Sequence, residues 1–137
     1  MSTQKDTELS LTLDGVEYAC QVIDGSLTWP ARSEPTLVPV ACGDKVAEPG
    51  TPTNGTITGT VYKDQSATGI TRVLITALES DADIDFVWTE NVDGPTGEIL
   101  TVTGTCRVTS HEQVFTPDTL GRHPLALTVT ASTTTWN

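Results

Sequence analysis

The 137 residues (14.5 kDa) are one domain's worth of chain, enough to bury roughly two thirds of the unfolded surface around a single core. Seven Lys and Arg stand against 18 Asp and Glu, a formal net charge of −11, which excludes binding by phosphate neutralisation and attachment to anionic lipid. Apolar residues are only 36%, and threonine, roughly a fifth of the chain, is β-branched and suits a pleated, half-wet surface, so the composition predicts a soluble, acidic, mostly β domain.

The first eight residues contain no apolar stretch of the kind a secretory signal carries. The longest apolar runs, such as Val73-Leu74-Ile75, fall far short of a membrane span. Cys20, Cys42 and Cys106 are an odd number at wide spacing, which fits reduced thiols better than a disulfide frame. The expectation is a chain made and kept in a cytoplasm until it is assembled or released.

Residues 8–29 read as a hairpin. Leu9, Leu11 and Leu13 alternate with polar residues, Asp14-Gly15 is a tight-turn pair, and Val16 to Ile23 returns. Asp24-Gly25 marks a second turn or bulge before Ser26-Leu27-Thr28-Trp29. From Pro30 to Asn54 the periodicity is lost, and five of the eight prolines fall there (Pro30, Pro35, Pro39, Pro49, Pro52). A loop of this length is commonly functional, and Leu37, Val38 and Val40 would be poorly placed in free solvent, so the loop is expected to dock on something.

A strand resumes over Gly55 to Tyr62, with Ile57, Gly59 and Val61 on one face. Then Ile70, Val73, Leu74, Ala77 and Leu78 fall at the spacing of an amphipathic helix, placed at about residues 68–80, with Ser66 or Thr68 as its cap. Its apolar stripe must lie against a sheet. Strict alternation over Asp83 to Trp88 puts Ile84, Phe86 and Trp88 inward and Asp83 and Asp85 outward. A turn rich in Gly and Pro covers 91–97. A long strand over Glu98 to Ser110 carries Leu100, Val102, Cys106 and Val108 on one face, with Gly104 there to relieve crowding or mark a bulge. In the last strand Leu125, Leu127 and Val129 oppose Ala126, Thr128 and Thr130, and an extended Thr/Trp tail follows. No internal repeat and no second-domain boundary is visible, so residues 1–137 read as one domain with extended ends.

Asp81-x-Asp83-x-Asp85 opens like a calcium loop, but Phe86 and Val92 occupy the positions that need Gly and Glu. A solvated, like-charged strand face is the better reading. His111 and His123 lack zinc-site spacing with each other or with the cysteines, and read as turn or surface residues. No nucleophile elbow, phosphate loop or dinucleotide motif occurs. Trp29, Trp88 and Trp136 suit core packing or interface anchoring better than a sugar platform. No catalytic residue, metal or cofactor is expected.

The order hairpin, long loop, strand, single helix, strand, long strand, final strand resembles the major tail tube proteins of long-tailed (siphovirus-type) bacteriophages. Leu100-Thr-Val-Thr-Gly-Thr-Cys-Arg-Val-Thr-Ser110 and Pro124-Leu-Ala-Leu-Thr-Val-Thr-Ala-Ser132 are similar to strands of that family. The resemblance implies a β-sandwich or small barrel with one flanking helix, in homohexameric rings that stack into a hollow tube of the virion tail. If each subunit lends about four strands, about 24 strands at roughly 4.7 Å give a bore of about 36 Å between backbones, wide enough for duplex DNA. The implied partners are further copies of the chain and the tape-measure, tail-terminator and distal tail proteins, with DNA as passing cargo and no membrane. Assembly would take place in the host cytoplasm.

A net charge of −11 suits such a conduit, because cations on its wall would hold DNA back. Asp81, Asp83 and Asp85 are candidates for the negative wall, with Asp93 or Glu98 near the rim. Leu37, Val38 and Val40 are the candidate contacts between rings. An immunoglobulin-like adhesion or decoration module is the chief alternative, although the helix and the long loop fit it poorly. The tube protein of a contractile secretion system is a second. A small hydrolase is a third, and would need a cleft that gathers carboxylates from separate strands.

Overall fold

The structure is a computed structural model that describes residues 5–32, 36–41, 43–48, 52–93 and 99–136. Leu9, Leu11 and Leu13 build β1 (Lys5–Leu13), and Asp14 and Gly15, both at positive φ (51° and 84°), turn it into the two-residue β2 (Val16–Glu17). β3 (Val22–Thr28) and β8 (Gly55–Tyr62) flank the 30–54 segment, which holds β4 (Ala31–Arg32), β5 (Thr36–Pro39), β6 (Lys45–Glu48) and β7 (Pro52–Thr53). Helix α1 (Ile70–Ser80), β9 (Asp83–Asp93), β10 (Ile99–Val108) and β11 (Arg122–Trp136) complete the order.

Seven strands form one antiparallel sheet in the order β2-β1-β9-β10-β11-β8-β3. It is mainly β with one helix, as the sequence predicts. The sheet curls so far that β3, at one edge, faces β1 and β9 near the other. A Cβ added to Gly25 in β3 would lie 3.0 Å from the Trp88 ring and 3.2 Å from Leu9. The result is a partly closed barrel in a single sheet rather than two facing sheets.

The inner face holds the core. Leu11, Leu13, Ile57, Val61, Phe86, Trp88, Val102, Cys106, Leu125, Leu127 and Val129 are buried there at alternate positions. Each large apolar side chain contributes about 1.5–3 kcal/mol on leaving water. Helix α1 lays Ile70, Leu74 and Ala77 into this core, with Val73 and Leu78 packed partly against it.

Three expectations need correction. The strand returning after Asp14-Gly15 lasts only two residues beside β1. From Val22 the chain has left β1 and pairs with β8, so residues 22–28 form the opposite edge of the sheet. β9 holds the other side of β1, and the curl brings β8 within reach. Second, neither Ser66 nor Thr68 caps the helix. Gly69 takes the cap position without a side-chain bond, while the backbone N–H and hydroxyl of Ser66 donate to Asp64 and the Thr68 carbonyl accepts from Tyr18.

Third, the 30–54 segment is not an irregular loop. Its described residues form an arm of two short ladders, β4 with β7 and β5 with β6. Its prolines mislead a periodicity reading, yet Pro39 ends β5 and Pro52 starts β7, positions where a missing N–H is tolerated in an edge strand.

Candidate functional surfaces

The alternation that fills the core leaves a broad polar wall on the outer face. Thr56, Thr58 and Thr60 of β8 stand beside Ala126, Thr128 and Thr130 of β11, then Thr101, Thr103, Thr105 and Arg107 of β10, then Asp83, Asp85, Val87 and Thr89 of β9. Threonine suits such a wall because its branched Cβ satisfies the strand and its hydroxyl bonds across it. Thr105 and Thr130 do so at 2.8 Å.

Asp83 and Asp85 lie exposed on this wall at the start of β9, and Asp81 sits just before it as the left-handed residue that ends α1 (φ 51°). Arg107, directly opposite Asp83 in the register, donates Nε to Asp83 at 3.0 Å and Nη1 to Asp81 at 3.2 Å. The two carboxylates hold its guanidinium above its ordinary value. The corner therefore carries three carboxylates against one guanidinium, so the expected negative wall is partly neutralised. Arg107 shares the outer face of β10 with Thr101, Thr103 and Thr105, and its pairing with Asp83 follows only from the register of two strands. Asp93 ends β9 with its side chain outside the described residues, and Glu98 lies outside them altogether.

A second feature, invisible to sequence reading, is the seam where the curl stops short of closure. Among the described residues, β1 pairs with β2 only at Thr12 and Leu13, so Lys5 to Ser10 carry no strand on that side, and β3 pairs with β8 alone. Between these free edges runs a slot of about 710 Å³ with Leu9, Val22, Ile23 and Trp88 as its apolar wall. Its carboxylates are Asp6, Glu8, Glu17, Asp24 and Glu90, and among the described residues no cation lines it. Burial first, and Asp6 second, push the Glu90 carboxyl above its ordinary value.

The slot thus gathers carboxylates from four strands, as the hydrolase alternative requires. Two of them are already engaged, however: Glu8 accepts from Asn91 at 3.1 Å and Glu17 from Ser10 at 2.8 Å.

On the arm, Leu37 and Val46 are 62% and 52% exposed, and Val40 at the tip is exposed as well. Val38 is half-buried opposite Val46. These are large apolar surfaces with little cover of their own. Phe115 and Leu120, in the segment between β10 and β11, are likewise exposed. Of the tryptophans, Trp88 is in the core, while Trp29 and Trp136 are exposed at the end of the sheet beside the arm's base.

His123 is not a surface residue. It is buried at the start of β11, where its Nε2 lies 2.9 Å from the Thr71 hydroxyl and its Nδ1 lies 3.0 Å from the Pro124 carbonyl. The Pro124 carbonyl can only accept, so Nδ1 carries a proton and donates to it, and in the neutral ring Nε2 accepts from the Thr71 hydroxyl, whose oxygen also accepts from the Asp64 N–H. Burial is the main cause that lowers its proton affinity, with the neighbouring His111 and Lys63 adding to it. His123 ties β11 to the first turn of the helix, a packing role that no spacing rule reveals. Cys106, in the core, has its thiol pushed up to about 12 by burial and so stays protonated and inert. Cys20 is exposed at the slot, and Cys42 lies outside the described residues.

No protein-family model matches the sequence, and no curated protein is similar to it. The fold is similar to that of solved chains. One comes from the virion of a native gene transfer agent particle, with a TM-score of 0.63 and 13% identity over 93% of this chain and 95% of that one. Another comes from the sheath/tube terminator of an extracellular contractile injection system in its extended state, with a TM-score of 0.60 and 11% identity over 93% of each chain.

Proposed function

We propose that this chain is a structural, non-catalytic subunit of a phage-like tail, in which homohexameric rings stack into a hollow tube through which DNA passes. The observation that carries the reading is the sheet itself. It has an apolar interior on one side, a wide threonine wall with carboxylates at one corner on the other, and unpaired strand edges at its seam. A monomer gains nothing from long exposed edges, whereas a ring of copies covers them. The likeness in fold to chains of a virion and of a contractile injection system supports the same reading.

In this assignment the threonine wall faces the bore, with Asp83 and Asp85 on it and Asp81, Asp93 and Glu98 toward its rim. Hydroxyls and carboxylates do not hold a polyanion, so DNA slides. Leu37, Val38 and Val40 on the arm meet the next ring, and head-to-tail contacts of that kind propagate a filament. Tape-measure, terminator and distal tail proteins are the partners at its core and ends, and the virion tail is its location.

The likeness to a sheath/tube terminator structure favours one second reading, in which the chain forms a single ring that caps a tube. Negative-stain microscopy of the concentrated protein tests both. Stacked tubes are expected, isolated rings would assign the terminator role, and a monomer at every concentration would refute the structural reading.

A further inference from the structure

The seam slot and the arm are complementary. The slot offers two strand edges that have no partner among the described residues, above an apolar wall of Leu9, Val22, Ile23 and Trp88, rimmed by carboxylates. The arm offers an extended ladder whose Leu37 and Val46 are mostly exposed. Of the seven cations in the chain, Lys63 bonds the Val114 carbonyl, Arg107 is tied to Asp81 and Asp83, and Arg122 stands over the Tyr62 ring. Two others sit on the arm, Arg32 on β4 and Lys45 on β6, the latter between Asp44 and Glu48 in the chain.

We infer that the slot between β1 and β3 receives the β5–β6 arm of a second copy, which adds a strand to the free edge of β1. Strand addition supplies main-chain hydrogen bonds to the unpaired edge, and alternate side chains supply the fit. Leu37 or Val46 then covers the apolar wall. The strand that enters, β5, has no charged side chain, so it adds no repulsion to that among Asp6, Asp24 and Glu90. The inference rests on the self-assembly reading above and names the surface through which copies join.

The test replaces Leu37 with a photoreactive benzophenone side chain in the full-length protein and mixes isotopically heavy and light copies. The assembled material is irradiated, and the crosslinked peptides are mapped by mass spectrometry. Heavy–light links from position 37 to residues 6–10 or 19–25 are the expected result. Links within one copy, or to the threonine wall or the 109–121 segment of another, overturn it while leaving the tube reading intact. Absence of any assembly refutes the tube reading, and this inference with it.

As a second arm, Ile23→Asp in the slot should raise the concentration needed for assembly at least tenfold with an unchanged circular-dichroism spectrum. Assembly at the wild-type concentration would contradict the docking site.

Discussion

Gly104 and His123 carry the account at the scale of single residues. A Cβ on Gly104 would lie 1.9 Å from the Ala131 carbonyl oxygen, beside the bulge that shifts the β10–β11 register between Thr105 and Cys106. Backbone cannot yield there as a flexible side chain would, so Gly104→Ala should lower stability by about 1–3 kcal/mol in urea unfolding. At His123 the sign is set by burial. Folding holds the ring neutral and its proton affinity below the ordinary value near 6.5. The unfolded chain therefore takes up a proton first as pH falls, and stability is full above about 6.5 and declines below it until the folded ring also titrates. Thermal melts between pH 7.5 and 5.5 should show this decline, and His123→Gln should flatten it. An equal slope in the variant would assign the pH dependence to other groups.

Among the elements, α1 was legible because its five apolar positions keep a 3.6-residue period without interruption; its end at Ser80 matches, while its start falls at Ile70, two residues after the expected one. The alternation of β8 to β11 was plain as well, although β9 runs on to Asp93, into the 91–97 span that reads as a turn. The arm was not, since its prolines and short runs erase periodicity while edge strands tolerate both. Partner choice was hidden as well. Nothing in Val22–Thr28 says that it pairs with β8 instead of β1, and so the seam and its slot could not be foreseen from sequence. Because the arm takes little part in the core, its removal is expected to spare the fold. Deleting residues 33–50 should leave the melting temperature within a few degrees of the parent while abolishing assembly in sedimentation. Tubes formed by the deleted chain would remove the arm from the interface. Leu37→Asp is the milder version and should weaken assembly in the same direction.

For the whole molecule, the claim is that one face of a curled sheet makes a core and the other makes a wall for DNA to pass. In that proposal the net charge of −11 would repel a polyanion and the threonine surface would offer it only neutral contacts. Asp85→Lys, which leaves the Arg107 pairs with Asp81 and Asp83 in place, should therefore preserve tube assembly and slow DNA ejection from assembled particles. Ejection at the parent rate would put Asp85 on the outside. The most direct test is a cryo-electron microscopy reconstruction of the assembled protein at side-chain resolution. The account predicts sixfold rings whose bore is lined by Thr58, Thr103, Thr128 and Asp85, with α1 toward the exterior; a bore lined by α1, or particles in which the threonine face looks outward, would contradict it.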